Sequence, residues 1–169
     1  WHGQVYGKLM SGGMEQSGRA ELRASGEKTA FYGGFSTRNF GDLIAGRNIG
    51  KLSPSGYQEI STDLKAKFRI TDQQLLTVAY QVLNQDDIPR WDQVAQRGYQ
   101  LWKFDRQDRR LGYVRWERYS QNRWLRQIKT TVSLNRSVEG RISQRQESSI
   151  CLREKDAINT YGAMTEVIS

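Results

Sequence analysis

The 169 residues carry 26 Lys and Arg against 18 Asp and Glu, a formal net charge of +8 and a mean hydropathy of -0.75, yet 11% of them are aromatic. That supply of large rings excludes a disordered polar chain, which is too poor in apolar groups to fold. No run approaches the ~18 apolar residues of a membrane-spanning helix, and the lone cysteine, Cys151, excludes an intramolecular disulfide.

Arg19 to Ser25 sets Ala20, Leu22 and Ala24 on one face of an extended segment. Gly26-Glu27-Lys28 reads as a turn, and Thr29 to Ser36 continues with Phe31, Gly33 and Phe35 alternating. A polar stretch follows from Asn39 to Gly56.

Asp63 to Ile70 is the clearest segment. Asp63, Lys65, Lys67 and Arg69 alternate strictly with Leu64, Ala66, Phe68 and Ile70. A strand sorts such a pattern into a charged face and an apolar face, whereas a helix scatters it. Thr71-Asp72-Gln73-Gln74 breaks the run. Leu75 to Val82 resumes it, with Leu76, Val78, Tyr80 and Val82 opposite Thr77, Ala79 and Gln81. Two alternating runs about a short polar break predict an antiparallel hairpin.

A second polar stretch runs from Asn84 to Arg106. Leu111 to Tyr119, a turn at Ser120-Gln121-Asn122, and Gln127 to Leu134 predict another hairpin. After the polar stretch from Asn135 to Asp156, a last strand fits Ala157 to Ser169. About seven or eight strands are expected, and no segment reads as a helix.

The short turns centre near residues 27, 72 and 121, with the long polar stretches between them. In a meander, alternate connections fall on opposite edges of the sheet. One edge then bears tight turns and the other long loops, the pattern of outer-membrane barrels. A soluble antiparallel sheet with one wet face also alternates. Three features favour the membrane: the dense charge on one face at Asp63–Arg69, the aromatics near strand ends (Tyr57, Tyr99, Trp102, Phe104, Tyr113, Trp116, Tyr119, Trp124, Tyr161), and the loop length. The expected fold is all-β, an antiparallel meander forming an arc of a transmembrane β-barrel, whose charged face suits a wide lumen better than a small, filled barrel. Val78→Arg on the lipid face is expected to disrupt assembly, and Thr77→Arg on the lumen face to be much milder.

An ordered set of motifs adds a family. Gly56-Tyr57, Asp63 to Arg69, Leu76-Thr77-Val78-Ala79-Tyr80-Gln81, Gln85-Asp86-Asp87-Ile88-Pro89-Arg90 with Asp92, Leu111-Gly112-Tyr113, Glu139-Gly140-Arg141, and Asp156 with Thr160-Tyr161-Gly162 and Glu166 together resemble the barrel of TonB-dependent outer-membrane receptors. The resemblance implies uptake of a metal chelate (a ferric siderophore, haem or cobalamin) across the outer membrane of a Gram-negative bacterium. It implies a large barrel around its own plug domain, coupled to the TonB energy complex and set in lipopolysaccharide and other outer-membrane lipid. Plug, TonB box and C-terminal closing strand are not visible, so residues 1–169 read as one partial barrel domain, and both termini look cut from a longer chain.

Asp86, Asp87, Arg90, Trp91, Trp102 and Arg106 are the candidate cargo contacts, as charged and aromatic groups of an outer loop. The alternative is a loop closed on itself by Asp–Arg pairs. The acidic spacing matches no calcium loop. Arg106, Arg109 and Arg110 with Lys103 form a basic stretch suited to an anionic chelate, to haem propionates or to lipopolysaccharide phosphates. Lys65, Lys67, Arg69, Thr77 and Gln81 are the candidate lumen-lining residues. One histidine, His2, and one cysteine leave no catalytic or metal constellation, and no cofactor is expected. The glycine pairs Gly12-Gly13 and Gly33-Gly34 lack a strand–turn–helix context for phosphate binding. Two other readings stand beside the receptor: a basic nucleic-acid-binding β-protein, and a structural barrel without a transport role.

Overall fold

The computed structural model describes residues 1–46 and 49–169, and it is all-β, with 79% of the described residues in strands. Strands β1 (His2–Met10), β2 (Glu15–Ser25), β3 (Thr29–Phe40), β6 (Tyr57–Thr71), β7 (Gln74–Pro89), β8 (Tyr99–Asn122), β9 (Leu125–Arg145) and β10 (Cys151–Ile168) form one antiparallel sheet in that order. Its outermost strands are β1 and β10. A small hairpin of β4 (Leu43–Ala45) and β5 (Gly50–Leu52) stands apart within the β3–β6 connection. Residues 47 and 48 of that expected loop lie outside the described residues.

The tight turns fall on one edge. Gly26 N donates to Thr29 O at 2.8 Å between β2 and β3. Gln73 N donates to Thr71 Oγ1 at 3.3 Å between β6 and β7. Between β8 and β9 the turn is Arg123-Trp124, later than the expected Ser120–Asn122. The Asn122 side chain accepts from Trp124 N at 3.0 Å, an Asx-type bond that carries β8 past the expected break.

The other edge differs from expectation. Most of the polar stretches expected as long loops are strand. β8 is 24 residues long and β9 is 21, leaving residues 90–98 before β8 and 146–150 after β9 as connections. In the strand extensions, charged and polar residues fall on both faces of the sheet. Hydropathy therefore loses its period of two while the backbone goes on pairing. The first connection also holds a short helix, α1 (Trp91–Gln96), where no helix was expected.

Register assigns every side chain to a face. Gly3, Leu22, Gly33, Leu64, Tyr80, Gly112, Leu134 and Tyr161 are successive cross-strand partners, one from each strand. The next row toward the tight turns is Ala24, Phe31, Ala66, Val78, Val114, Val132 and Ala163. No charged residue stands in either row. The reverse face carries Lys8, Glu15, Arg19, Glu21, Arg23, Arg38, Glu59, Asp63, Lys65, Lys67 and Arg69 on β1 to β6 alone.

Candidate binding faces of the sheet

The sheet is inverted relative to a soluble one. On the polar face Ser36 is 2% exposed, Thr77 3% and Glu59 6%, while on the apolar face Leu64 and Phe35 are each 50% exposed and Val132 56%. Long charged side chains cover their own face, and the aliphatic and aromatic groups opposite stay open. In water an uncovered apolar surface of this extent is unfavourable, and it marks a surface that something else covers.

Along the apolar face of β6, no charge occurs from Gln58 to Ile70. On β8 the same face is bounded by Arg110 and Arg118, eight residues apart, or about 27 Å along a strand. The aromatics divide between the faces. Trp116 and Tyr161 belong to the apolar one, whereas Tyr113 and Tyr119 belong to the polar one, with Arg115 over the Tyr113 ring at 5.6 Å.

All five lumen candidates share the polar face. Lys65, Lys67 and Arg69 on β6 stand opposite Ala79, Thr77 and Leu75 on β7, and Gln81 donates to Asp63 Oδ1 at 3.3 Å. Lys65, Lys67, Arg69 and Gln81 are exposed, but Thr77 is packed between Lys67 and Arg115, its cross-strand partners. The mild outcome expected of Thr77→Arg is therefore corrected, since a third cation would enter a buried site between two others.

Sequence reading missed the row that organises this face. Lys8, Ser17, Arg38, Glu59, Gln85, Gln107, Glu139 and Asp156 are consecutive cross-strand partners across all eight strands. Arg38 Nη1 donates to Glu59 Oε1 at 2.6 Å, Gln85 Nε2 to Glu59 Oε2 at 2.7 Å, and Gln107 Nε2 to Glu139 Oε2 at 3.0 Å. Both oxygens of the buried Glu59 are thus satisfied, as a buried carboxylate requires. A groove of about 520 Å³ runs along the row between β7 and β10, lined by Gln85, Gln107, Arg109, Ser137 and Glu139.

The loop-edge candidates separate. Asp86 on β7 faces Arg106 on β8, and their row belongs to the apolar side of the sheet, beyond the uncharged band. Asp87, at φ 51°, pairs with Lys103. Arg90 grips Asp92 with two bonds, Nε to Oδ1 at 2.8 Å and Nη2 to Oδ2 at 2.9 Å, and Trp91 opens α1 between them. The Arg90 guanidinium holds the Asp92 carboxyl down at about 2. The loop is therefore closed by its own acid–base pairs, with Asp87 and Asp92 each taken up by a cation. Among the described residues no three His, Cys, Asp or Glu side chains converge on a metal-holding group.

Arg90 and Trp102 do come together. The Arg90 guanidinium lies 5.4 Å from the Trp102 ring centre and Arg141 of β9 lies 5.7 Å from it. Phe104 meets the Trp102 ring edge-on at 5.0 Å, and Arg145 covers Tyr99 at 4.9 Å. Arg141 and Arg145 have no sequence signal, because only the β8–β9 register brings them to residues about forty positions away. The basic stretch also divides: Arg109 faces the polar side, donating to Asn135 Oδ1 at 3.2 Å, while Arg106 and Arg110 face the apolar side.

Comparison of the chain with protein-family models, with curated protein sequences and with solved structures finds no match.

Proposed function

We propose that the sheet is an arc of an outer-membrane β-barrel belonging to a TonB-dependent receptor for a metal chelate. The observation that carries the barrel is the inverted sheet, with an uncharged, open apolar band on one side and a shielded, densely charged surface on the other. Hydrocarbon is the solvent such a band requires, and a water-filled or plugged lumen is what the opposite face requires. β1 and β10 then pair with further strands on either side, which removes their open edges. Tight turns point to the periplasm, and the long strand extensions with α1 point outward. The receptor part rests on the ordered motifs from Gly56 to Glu166. The Trp102 ring at the outer edge of the polar face adds an aromatic surface suited to a ring-bearing chelate, the flanking Arg90 and Arg141 being neutralised by Asp92 and Glu154.

Envelope fractionation of the full-length protein tests the barrel: it is expected in the outer membrane, with slower gel migration after boiling. Growth of a deletion strain on single ferric siderophores, haem or cobalamin tests the cargo. Loss of growth on one of them alone is expected, and unchanged growth on all would contradict the receptor. Acidic residues interleave with the cations of the polar face (Glu21, Glu59, Asp63 and Glu139), and this disfavours a nucleic-acid surface.

A further inference from the structure

Arg110 on β8 and Arg136 on β9 are direct cross-strand partners. They stand in the first row beyond the uncharged band, next to Gly112 and Leu134, and both are exposed. Like charges directly opposite each other destabilise a strand pair. Yet among the described residues neither has an ion-pair partner, and nor have Arg153 and Lys155, which β10 adds to the same face opposite Ile142 and Gly140. Arg106, in the same region, is already held by Asp108. The Arg110–Arg136 row therefore holds two uncompensated cations in a repulsive register on the outward edge of an apolar surface, with Lys155 and Arg153 four and six residues further out along β10 than Asn159, the partner of Arg136.

An anion between the two guanidinium groups reverses the sign of that repulsion, and guanidinium matches phosphate oxygens in geometry as well as charge. Continuity with the band fixes the source of the anion, because acyl chains lying on Val114, Val132 and Leu134 bring a headgroup to the Arg110–Arg136 row. We infer that this row seats a phosphorylated lipid of the outer leaflet, with Arg110 and Arg136 clasping one phosphate and Lys155 and Arg153 lying beyond it toward the loop edge. The inference rests on the barrel reading and adds to it a defined lipid site.

The test uses full-length protein in detergent. It is exposed separately to bisphosphorylated lipid A, to the same lipid dephosphorylated, and to inorganic phosphate, and retained adducts are read by native mass spectrometry. The wild type should retain the bisphosphorylated lipid. The double variant Arg110→Gln/Arg136→Gln should retain it about tenfold less, a difference of ~1.4 kcal/mol. Arg109→Gln, on the opposite face, should match the wild type. If the double variant fails to show the heat-dependent gel shift of a folded barrel, Arg136→Gln alone serves, with a smaller loss in the same direction. Equal retention by wild type and variant overturns the site, and so does equal retention of the dephosphorylated lipid. Retention of inorganic phosphate without lipid identifies a free-anion site and overturns the lipid assignment. A wild type that fractionates with the outer membrane but retains no lipid overturns this site alone, whereas one that never reaches the membrane overturns the barrel as well.

Discussion

Arg19 of β2 reaches over Gly34 of β3 to place its Nη2 2.9 Å from Asp63 Oδ2 on β6, joining strands whose residues are 44 positions apart. The same guanidinium bonds Glu21 Oε1 at 2.7 Å and the Tyr32 hydroxyl at 2.6 Å. One arginine thus ties three strands on the polar face, and it does so through the gap that a glycine leaves.

Gly34→Ala should break that tie. The added Cβ would lie 2.5 Å from Arg19 Nη2 and 3.0 Å from the Tyr32 hydroxyl. Both are ends of flexible side chains, so the strands need not move. The cost is the lost partnership, about 1 kcal/mol for a partly exposed charged bond. Thermal unfolding of the purified protein would register it, and combining Gly34→Ala with Arg19→Met should cost little beyond Arg19→Met alone. Strictly additive losses would contradict the stated geometry.

Val78→Arg and Gln81→Arg stand three residues apart on β7 but on opposite faces. In a membrane barrel, a midplane charge on the lipid side costs roughly 2–4 kcal/mol, whereas a lumen position tolerates one. Urea titration of both variants in liposomes or detergent checks the difference, with Val78→Arg the impaired one. Gln81 replaces the packed Thr77 as the control because its side chain is exposed.

Asp42 gives a pH prediction for the β3–β6 connection. Ser55 N donates to its carboxylate at 2.7 Å and Gly56 N at 2.9 Å, with Lys51 Nζ at 3.3 Å. These bonds, that from Ser55 foremost and Ser53 contributing, hold the carboxyl well below the usual carboxylate range. A lowered folded value means that its contribution is complete above the unfolded value of about 3.9 and is lost only as pH falls through the folded one. An NMR titration of the Asp42 carboxyl carbon should therefore show no inflection near pH ~4. Asp42→Ala should speed amide exchange at Ser55 and Gly56, and slow exchange in that variant would show that the loop is held by other means.

On the receptor reading, Trp102→Ala should weaken binding of the chelate about five- to thirtyfold, the loss of an aromatic contact worth on the order of 1–2 kcal/mol. Trp124→Ala, in a tight turn at the opposite edge, should leave affinity unchanged. Calorimetry on the full-length protein compares the two, and equal losses would remove Trp102 from the proposed binding site.

The two-faced character of the sheet was legible in residues 63–70, where charged and apolar side chains alternate without exception. The turns at 26–28 and 71–74 were legible from their polar breaks. The strand extensions were not, because outside the apolar band nothing distinguishes a polar strand from a polar loop. The polar row through Glu59, the Trp102–Arg141 stack and the Arg110–Arg136 pair are products of register, which hydropathy does not encode at polar positions. Arg109 and Arg110 are neighbours in sequence yet serve opposite faces, so reading them as one basic stretch could not hold.

The most direct test of the inverted sheet is a spin-label scan of β6, from Gln58 to Ile70, in a Cys151→Ser background of the full-length protein. Accessibility to oxygen, which dissolves in lipid, and to a water-soluble nickel chelate should alternate with a period of two. Labels at Ile60, Leu64, Ala66 and Phe68 should favour oxygen, and those at Glu59, Ser61, Asp63 and Lys65 should favour nickel. Equal nickel accessibility at both sets would contradict the membrane band and, with it, the barrel.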